Sequence, residues 1–147
     1  MKRRLASLAV PFGVTCAVVA ATATPAAAAS DARAACGHTW SNTSSPSTGA
    51  YYVCGYADFE SEVGDGTEQL RLSDSNDDGY GVIVQNYRYD MSDPGPYTGT
   101  VTSGEGSKQT WTLHMPEGTK IKFRVCPFTH AHGTYTSLCG AWVTGTA

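Results

Sequence analysis

The stretch Leu72–Gly81, "LSDSNDDGYG", holds the densest oxygen chemistry in the chain. Asp74, Asn76 and Asp78 alternate, and Gly79 follows. Alternating oxygen ligands suit calcium, a hard cation that takes six to eight oxygens. The three residues fit positions one, three and five of a calcium-binding helix–loop–helix, and Gly79 fits position six. Position twelve is Gln85, so the bidentate carboxylate is missing. The segment that follows, "GVIVQNYRY", alternates as a strand and not as a helix. A tight turn explains the same residues more simply. Asp78-Gly79 is a favoured hairpin pair because both residues tolerate positive φ. The turn is preferred here, with Leu70–Leu72 and Val82–Val84 as the strands it joins. No cofactor is expected, and calcium on Asp74, Asn76 and Asp78 stands as the alternative.

The second place for chemistry is "CPFTHAHGTYTSLC", Cys126–Cys139. His130 and His132 at i, i+2 share a face if the segment is extended, a two-ligand arrangement for zinc or copper. A third ligand would have to come from His114 or His38, and solvent-facing histidines near a hairpin tip are the simpler reading. If Cys126 pairs with Cys139, the loop between them is preorganised, and less entropy is lost on docking. Phe128, His130, His132 and Tyr135 are then candidate binding residues. Its Cys126-Pro127-Phe128 start is loosely similar to the reactive loop of bacterial subtilisin inhibitors, which makes protease inhibition an alternative.

Enzyme constellations are thin. The chain has no G-x-S-x-G elbow, no H-E-x-x-H and no phosphate-cradling glycine loop. The run "DFESEVGDGTE" carries Glu60, Glu62, Asp65 and Glu68. Paired carboxylates can hydrolyse glycosides when held at a fixed separation, but these sit in a Gly-broken stretch and are read as a solvated loop. Tyr51, Tyr52, Tyr56, Tyr80, Tyr87 and Tyr89 could form aromatic strips for sugars or partner proteins. As strand formers, most of them are assigned to the core.

The elements that position these residues begin after a leader. Lys2, Arg3 and Arg4 precede an apolar run to Ala21, then "TATPAAAAS" with its A-x-A pattern. This is the layout of a secretory signal peptide, residues 1–29, cut after Ala29, or alternatively after Ala34 or Ala35. No later apolar run is long enough to span a bilayer, so no membrane insertion is expected after its removal. From Ser30 onward, seven Lys and Arg face thirteen Asp and Glu, a net charge of −6. An acidic chain is a poor nucleic-acid binder, because phosphate contacts need clustered cations. Lys120, Lys122 and Arg124 alternate on one strand and are read as a solvated sheet face.

Residues 30–147 form one domain. Cys36, Cys54, Cys126 and Cys139 remain in it, and four exported cysteines read as two disulfides with three connectivities open. Cys36–Cys54 and Cys126–Cys139 are the simplest, since each closes a hairpin. The spacings lack the short C-x₂₋₄-C knuckle of a zinc site. Helix periodicity is absent, and short alternating runs separated by Gly, Pro and Ser predict six to eight strands. The expected strands are Ala50–Phe59, "EQLRLSD", "YGVIVQNYRYD", "YTGTVTSG", "KQTWTLHM", "TKIKFRVC" and "TSLCGAWVTGT", with Trp142 placed in the core; "CGHTWSN" is a short edge strand. The expected fold is an all-β, small antiparallel sandwich of immunoglobulin-like type.

The last thirty residues or so resemble the end of a fibronectin type III-like domain. Pro116, Gly118, Thr119, Arg124 and Val125 fit its corner and strand pattern. Ile121 stands where that pattern has a tyrosine. The resemblance implies a sandwich and implies no activity. The function expected is that of a secreted, extracellular, non-catalytic binding protein, a monomer whose partner is a protein or glycan. Alternatives are a protease inhibitor acting through the Cys126–Cys139 loop, a cell-envelope or matrix component and, last, a small hydrolase.

Overall fold

The fold is taken from a computed structural model, which describes residues 28–39, 51–64 and 66–147. Residues 1–27, 40–50 and Asp65 lie outside the described residues, as do the side chains of His38, Thr39, Tyr51 and Tyr52, so most of the expected signal peptide and the turn expected before Ala50 fall outside them. The chain is all-β. In order come β1 (Ala32–Thr39), β2 (Tyr51–Glu60), β3 (Glu68–Asp74), β4 (Gly81–Arg88), β5 (Tyr97–Val101), β6 (Lys108–Leu113), β7 (Lys120–Thr129), β8 (Gly133–Thr134) and β9 (Val143–Thr146). A 3₁₀ turn at Thr136–Leu138 lies between β8 and β9. The strands build two antiparallel sheets. One has the order β1-β2-β3-β6. The other runs β5-β4-β7, with β8 and β9 both pairing along β7.

The strand orders β2-β3-β6 and β4-β7-β9 follow the A-B-E and C-F-G orders of the immunoglobulin fold, with β5 at the C′ position and β1 as an added edge strand. Alternation places the core. Leu70 and Leu72 of β3, Val82 and Val84 of β4, and Ile121, Phe123 and Val125 of β7 are buried between the sheets with Phe59 and Ala57 of β2. Ile121, in the corner-tyrosine position of the fibronectin pattern, is fully buried, so hydrophobic packing fills a place where that pattern puts a hydrogen-bonding ring.

Both expected disulfides are present, Cys36–Cys54 and Cys126–Cys139. The first joins β1 to β2 inside the core, where both cysteines are buried. The second ties β7 to the chain after the 3₁₀ turn. Ile83, directly opposite Cys126 in the β4–β7 ladder, is only 6% exposed. This is why Val82-Ile83-Val84 is apolar on both faces.

Four expectations are corrected. Asp78-Gly79 does not turn a hairpin, because β3 and β4 belong to different sheets; residues 75–80 arch from one sheet to the other. Trp142 is only half-buried and lies on the outer sheet face, packed against Tyr87. None of the described tyrosines belongs to the buried core, which is made of Phe and aliphatic side chains; a phenol hydroxyl needs a partner, and the sheet surface supplies one more readily than the interior. In the acidic run, Glu68 is 3% exposed and its carboxylate accepts from the Met115 backbone N–H at 3.0 Å, while Glu60 pairs with Arg71.

Where the edge strands β5 and β6 face each other, the sheets splay and leave a cleft of about 230 Å³ lined by Leu70, Val84, Tyr97, Trp111 and Leu113. Trp111 packs onto Gly99, where a Cβ would stand 2.3 Å from the indole. Arg88 closes the cleft floor, paired with Asp90 and donating to the His114 carbonyl.

Candidate functional site

The ladder registers bring three loops to one end of the sandwich. Ser73 pairs with Lys108, and Val82 pairs with Val101. Gly81 pairs with Phe128. The arch 75–80, the β5–β6 loop 102–107 and the chain from Thr129 to Cys139 therefore lie together. In an immunoglobulin variable domain this end, with its B–C and F–G loops, carries the antigen-binding loops.

The arch is held by its own carboxylates and amide. Asn76 N–H donates to Asp74 Oδ1 at 3.2 Å, and Tyr80 N–H donates to Asp78 Oδ1 at 2.9 Å. Asn76 Nδ2 donates to Asp78 Oδ2 at 3.3 Å. The two backbone bonds are Asx turns, in which a short polar side chain replaces a backbone acceptor. Gly79 sits at φ 76°, as its place after Asp78 requires. Among the described residues, no group of three or more His, Cys, Asp or Glu side chains is placed to hold a metal ion.

Asp74 differs from its neighbours. It faces inward at the end of β3 and is 2% exposed. Its Oδ2 has no hydrogen-bond partner, and neither do the hydroxyls of Ser73 and Ser75. Burial holds its carboxyl above the usual aspartate range, the negative charges of Asp78, Glu105 and Asp77 push the same way, and the Asn76 N–H opposes them. Glu105 is a member of this end that the sequence does not reveal. It arrives through the β5–β6 loop, whose Gly106 N–H donates to the Asp74 carbonyl and whose Ser107 carbonyl accepts from the Asp74 N–H, both at 3.0 Å.

The disulfide-closed loop lies beside the arch. Tyr80 meets Tyr135 edge to face, with ring centroids 5.3 Å apart. His132 lies tilted against Tyr135 with centroids 6.2 Å apart, and His130 stands edge-on to Phe128 at 5.4 Å. His132 N–H donates to Thr129 Oγ1. His130 and His132 are exposed, but they occupy the β7–β8 turn and not an extended strand, so the i, i+2 argument for a shared face does not apply. His114 cannot join them. It follows Leu113, which pairs with Glu68 at the opposite end of β3. Six residues of strand separate that end from Asp74, on the order of 20 Å at 3.3 Å per residue. Phe128 remains within β7, paired with Gly81 on one side and Thr134 on the other.

The return of this loop is fixed by backbone. Gly140 N–H donates to the Val125 carbonyl at 2.8 Å. A Cβ on Gly140 would lie 1.7 Å from the Ala35 carbonyl oxygen of β1, so only glycine fits there. The Tyr80–Tyr135 contact couples arch to loop. A double-mutant cycle of Tyr80→Ala and Tyr135→Ala, followed by urea unfolding, is expected to give a coupling of about 0.5–1.5 kcal/mol, the range for edge-to-face pairs. A coupling near zero would mean that the two loops move independently.

No family model, no characterised protein and no solved structure matches the chain.

Proposed function

We propose that this chain is a secreted, non-catalytic binding protein that presents the loop end of its sandwich to a partner protein or glycan. The observation that carries the reading is the Tyr80–Tyr135 contact, which joins the arch to a loop closed by Cys126–Cys139. Two segments far apart in sequence form one surface with half-buried aromatic rings, two exposed histidines and the carboxylates of Asp77 and Asp78. Loops held on a rigid sandwich are where binding residues concentrate, and covalent closure lowers the entropy lost on docking.

Export is part of the proposal. Two disulfides belong to an oxidising compartment, and among the described residues no helix is long and apolar enough to cross a membrane. Ser30 supports a cut after Ala29: it exchanges backbone hydrogen bonds with Thr146 beside β9. A cut after Ala34 or Ala35 would remove the first half of β1, including the buried Ala34. N-terminal sequencing of the exported protein is expected to read Ser-Asp-Ala-Arg, and a start at Ala35 or Cys36 would overturn this assignment.

Protease inhibition through the same loop would have to use the turn residues His130–His132, since the backbone of Phe128 is already committed to two ladders. The test of the binding reading is positional. A photo-crosslinker at His132 is expected to capture a partner from the native medium, and one at Glu117, at the other end of the sandwich, is not. Equal capture at both positions, or turnover of a peptide, ester or glycan that one substitution abolishes, would sink it.

A further inference from the structure

Charge is divided between the two sheets. The chain has thirteen Asp and Glu residues, yet none lies in β4, β5, β7, β8 or β9. The other sheet carries Asp58, Glu60, Glu68 and Asp74 in its strands. Arg33 of β1, Arg71 of β3 and Arg88 of β4 are each paired with a carboxylate. Among the described residues, Lys120, Lys122 and Arg124 form no ion pair, and all three rise from the outer face of β7. A net-acidic domain thus keeps one sheet face free of negative charge and leaves its cations uncompensated.

That face also carries two half-buried aromatic rings, Trp142 and Tyr87. Trp142 directly precedes β9 and stands beside Arg124, one step past the Phe123–Val143 pair of the ladder. The Arg124 guanidinium lies 4.5 Å from the indole centroid and the Lys122 ammonium 5.4 Å from it. Tyr87 of β4 adds a second ring, tilted at 49° with its centroid 5.4 Å away. Arg124 Nε donates to Gln85 Oε1 at 2.9 Å, which fixes the guanidinium while its two terminal nitrogens are left to meet an anion. Thr144, opposite Lys122, contributes an exposed hydroxyl at the rim.

We propose that this face binds an acidic polysaccharide, with Trp142 and Tyr87 against the sugar rings and Lys122 and Arg124 against their carboxylates. A pyranose offers an apolar C–H face to an indole, and a uronate offers a planar carboxylate to a guanidinium fork. The cation–aromatic contacts pre-order both long side chains, so less rotamer entropy is lost on binding. A flat sheet with three cations suits an extended chain bearing one charge per sugar. It is a poor match for nucleic acid, whose denser phosphates would also meet the carboxylates elsewhere on the domain. The face is separate from the loop end.

The test uses the exported protein from Ser30, titrated with an oligogalacturonate by calorimetry. Trp142→Ala and Lys122→Gln are each expected to weaken binding by about tenfold or more, while Thr110→Ala, exposed on β6 of the other sheet, leaves it unchanged. Lys122→Gln keeps the strand and the indole, so a folding defect in the tryptophan variant would not decide the matter. The methyl-esterified oligomer, with its carboxylates neutralised, is expected to bind at least about tenfold more weakly. Absence of binding to the oligogalacturonate would overturn the proposal. So would equal binding of inorganic polyphosphate and oligogalacturonate with no effect of Trp142→Ala, which is simple ion exchange.

Discussion

Replacing Cys126 and Cys139 together with serine is expected to destabilise the domain by about 3 kcal/mol, the loop-closure contribution for a bridge of this span. The bridged residues are 13 apart in sequence. The loss has a local origin as well as a chain-entropy one. The segment after the 3₁₀ turn is seated by the disulfide, by the Gly140 hydrogen bond to Val125 and by the close approach of Gly140 to β1. Once released, it no longer holds Tyr135 against Tyr80. For a domain near a hundred residues this corresponds to a fall in Tm of roughly 12 °C or more. Calorimetry checks the magnitude, and the crosslinking yield at His132 checks the function. A stable variant with unchanged yield would show that packing alone holds the loop, and that the bridge is dispensable for binding. A variant still folded at 25 °C but without crosslinking would locate the recognition surface in the bridged loop.

The strands and the disulfides were legible because their signals are local. Ile121, Phe123 and Val125 alternate with Lys120, Lys122 and Arg124, and only one register buries that pattern. The two cysteine pairs lie at separations that adjacent strands can close. What the sequence does not carry is which sheet a strand joins. Asp78-Gly79 has the same local chemistry in a hairpin and in an arch, and the choice depends on which strand edges are free. Here β6 takes the edge of β3, and β5 and β7 flank β4. The same non-locality hides Glu105, which reaches Asp74 from thirty-one residues away, and puts His114 at the wrong end for His130 and His132. Trp142 misleads for another reason. Tryptophan is assigned inward by its size, but Lys122 and Arg124 on an uncompensated face give its ring partners on the surface. The arch and the bridged loop were each visible as candidates from residue types alone. That they touch, through Tyr80 and Tyr135, follows only from the fold.

Replacing Asp74 with Asn is expected to stabilise the protein at neutral pH. The carboxylate is 2% exposed, one of its oxygens has no partner, and three further carboxylates act on it. An unpartnered buried acceptor costs about 1–3 kcal/mol, and more when it is charged. Asparagine keeps an oxygen for the Asn76 N–H and removes the charge. The pH dependence fixes the sign. Burial and the neighbouring charges raise the folded-state pKa of Asp74 above its unfolded value. Below the unfolded pKa both states hold the proton, and the group is neutral to stability. As pH rises through the unfolded value and on to the raised folded value, the unfolded chain ionises first and stability falls. The penalty persists above that window. Urea unfolding in chelator should therefore show the variant ahead at pH 7 and the two proteins converging as pH drops below the usual aspartate range. A variant less stable at pH 7 would mean that the ionised carboxylate itself anchors the arch. Millimolar calcium separates the remaining reading: if the ion raises the Tm of the parent and not that of Asp74→Asn, the orphaned oxygen is a ligand, and its burial without a partner is the cost of a site built for a cation.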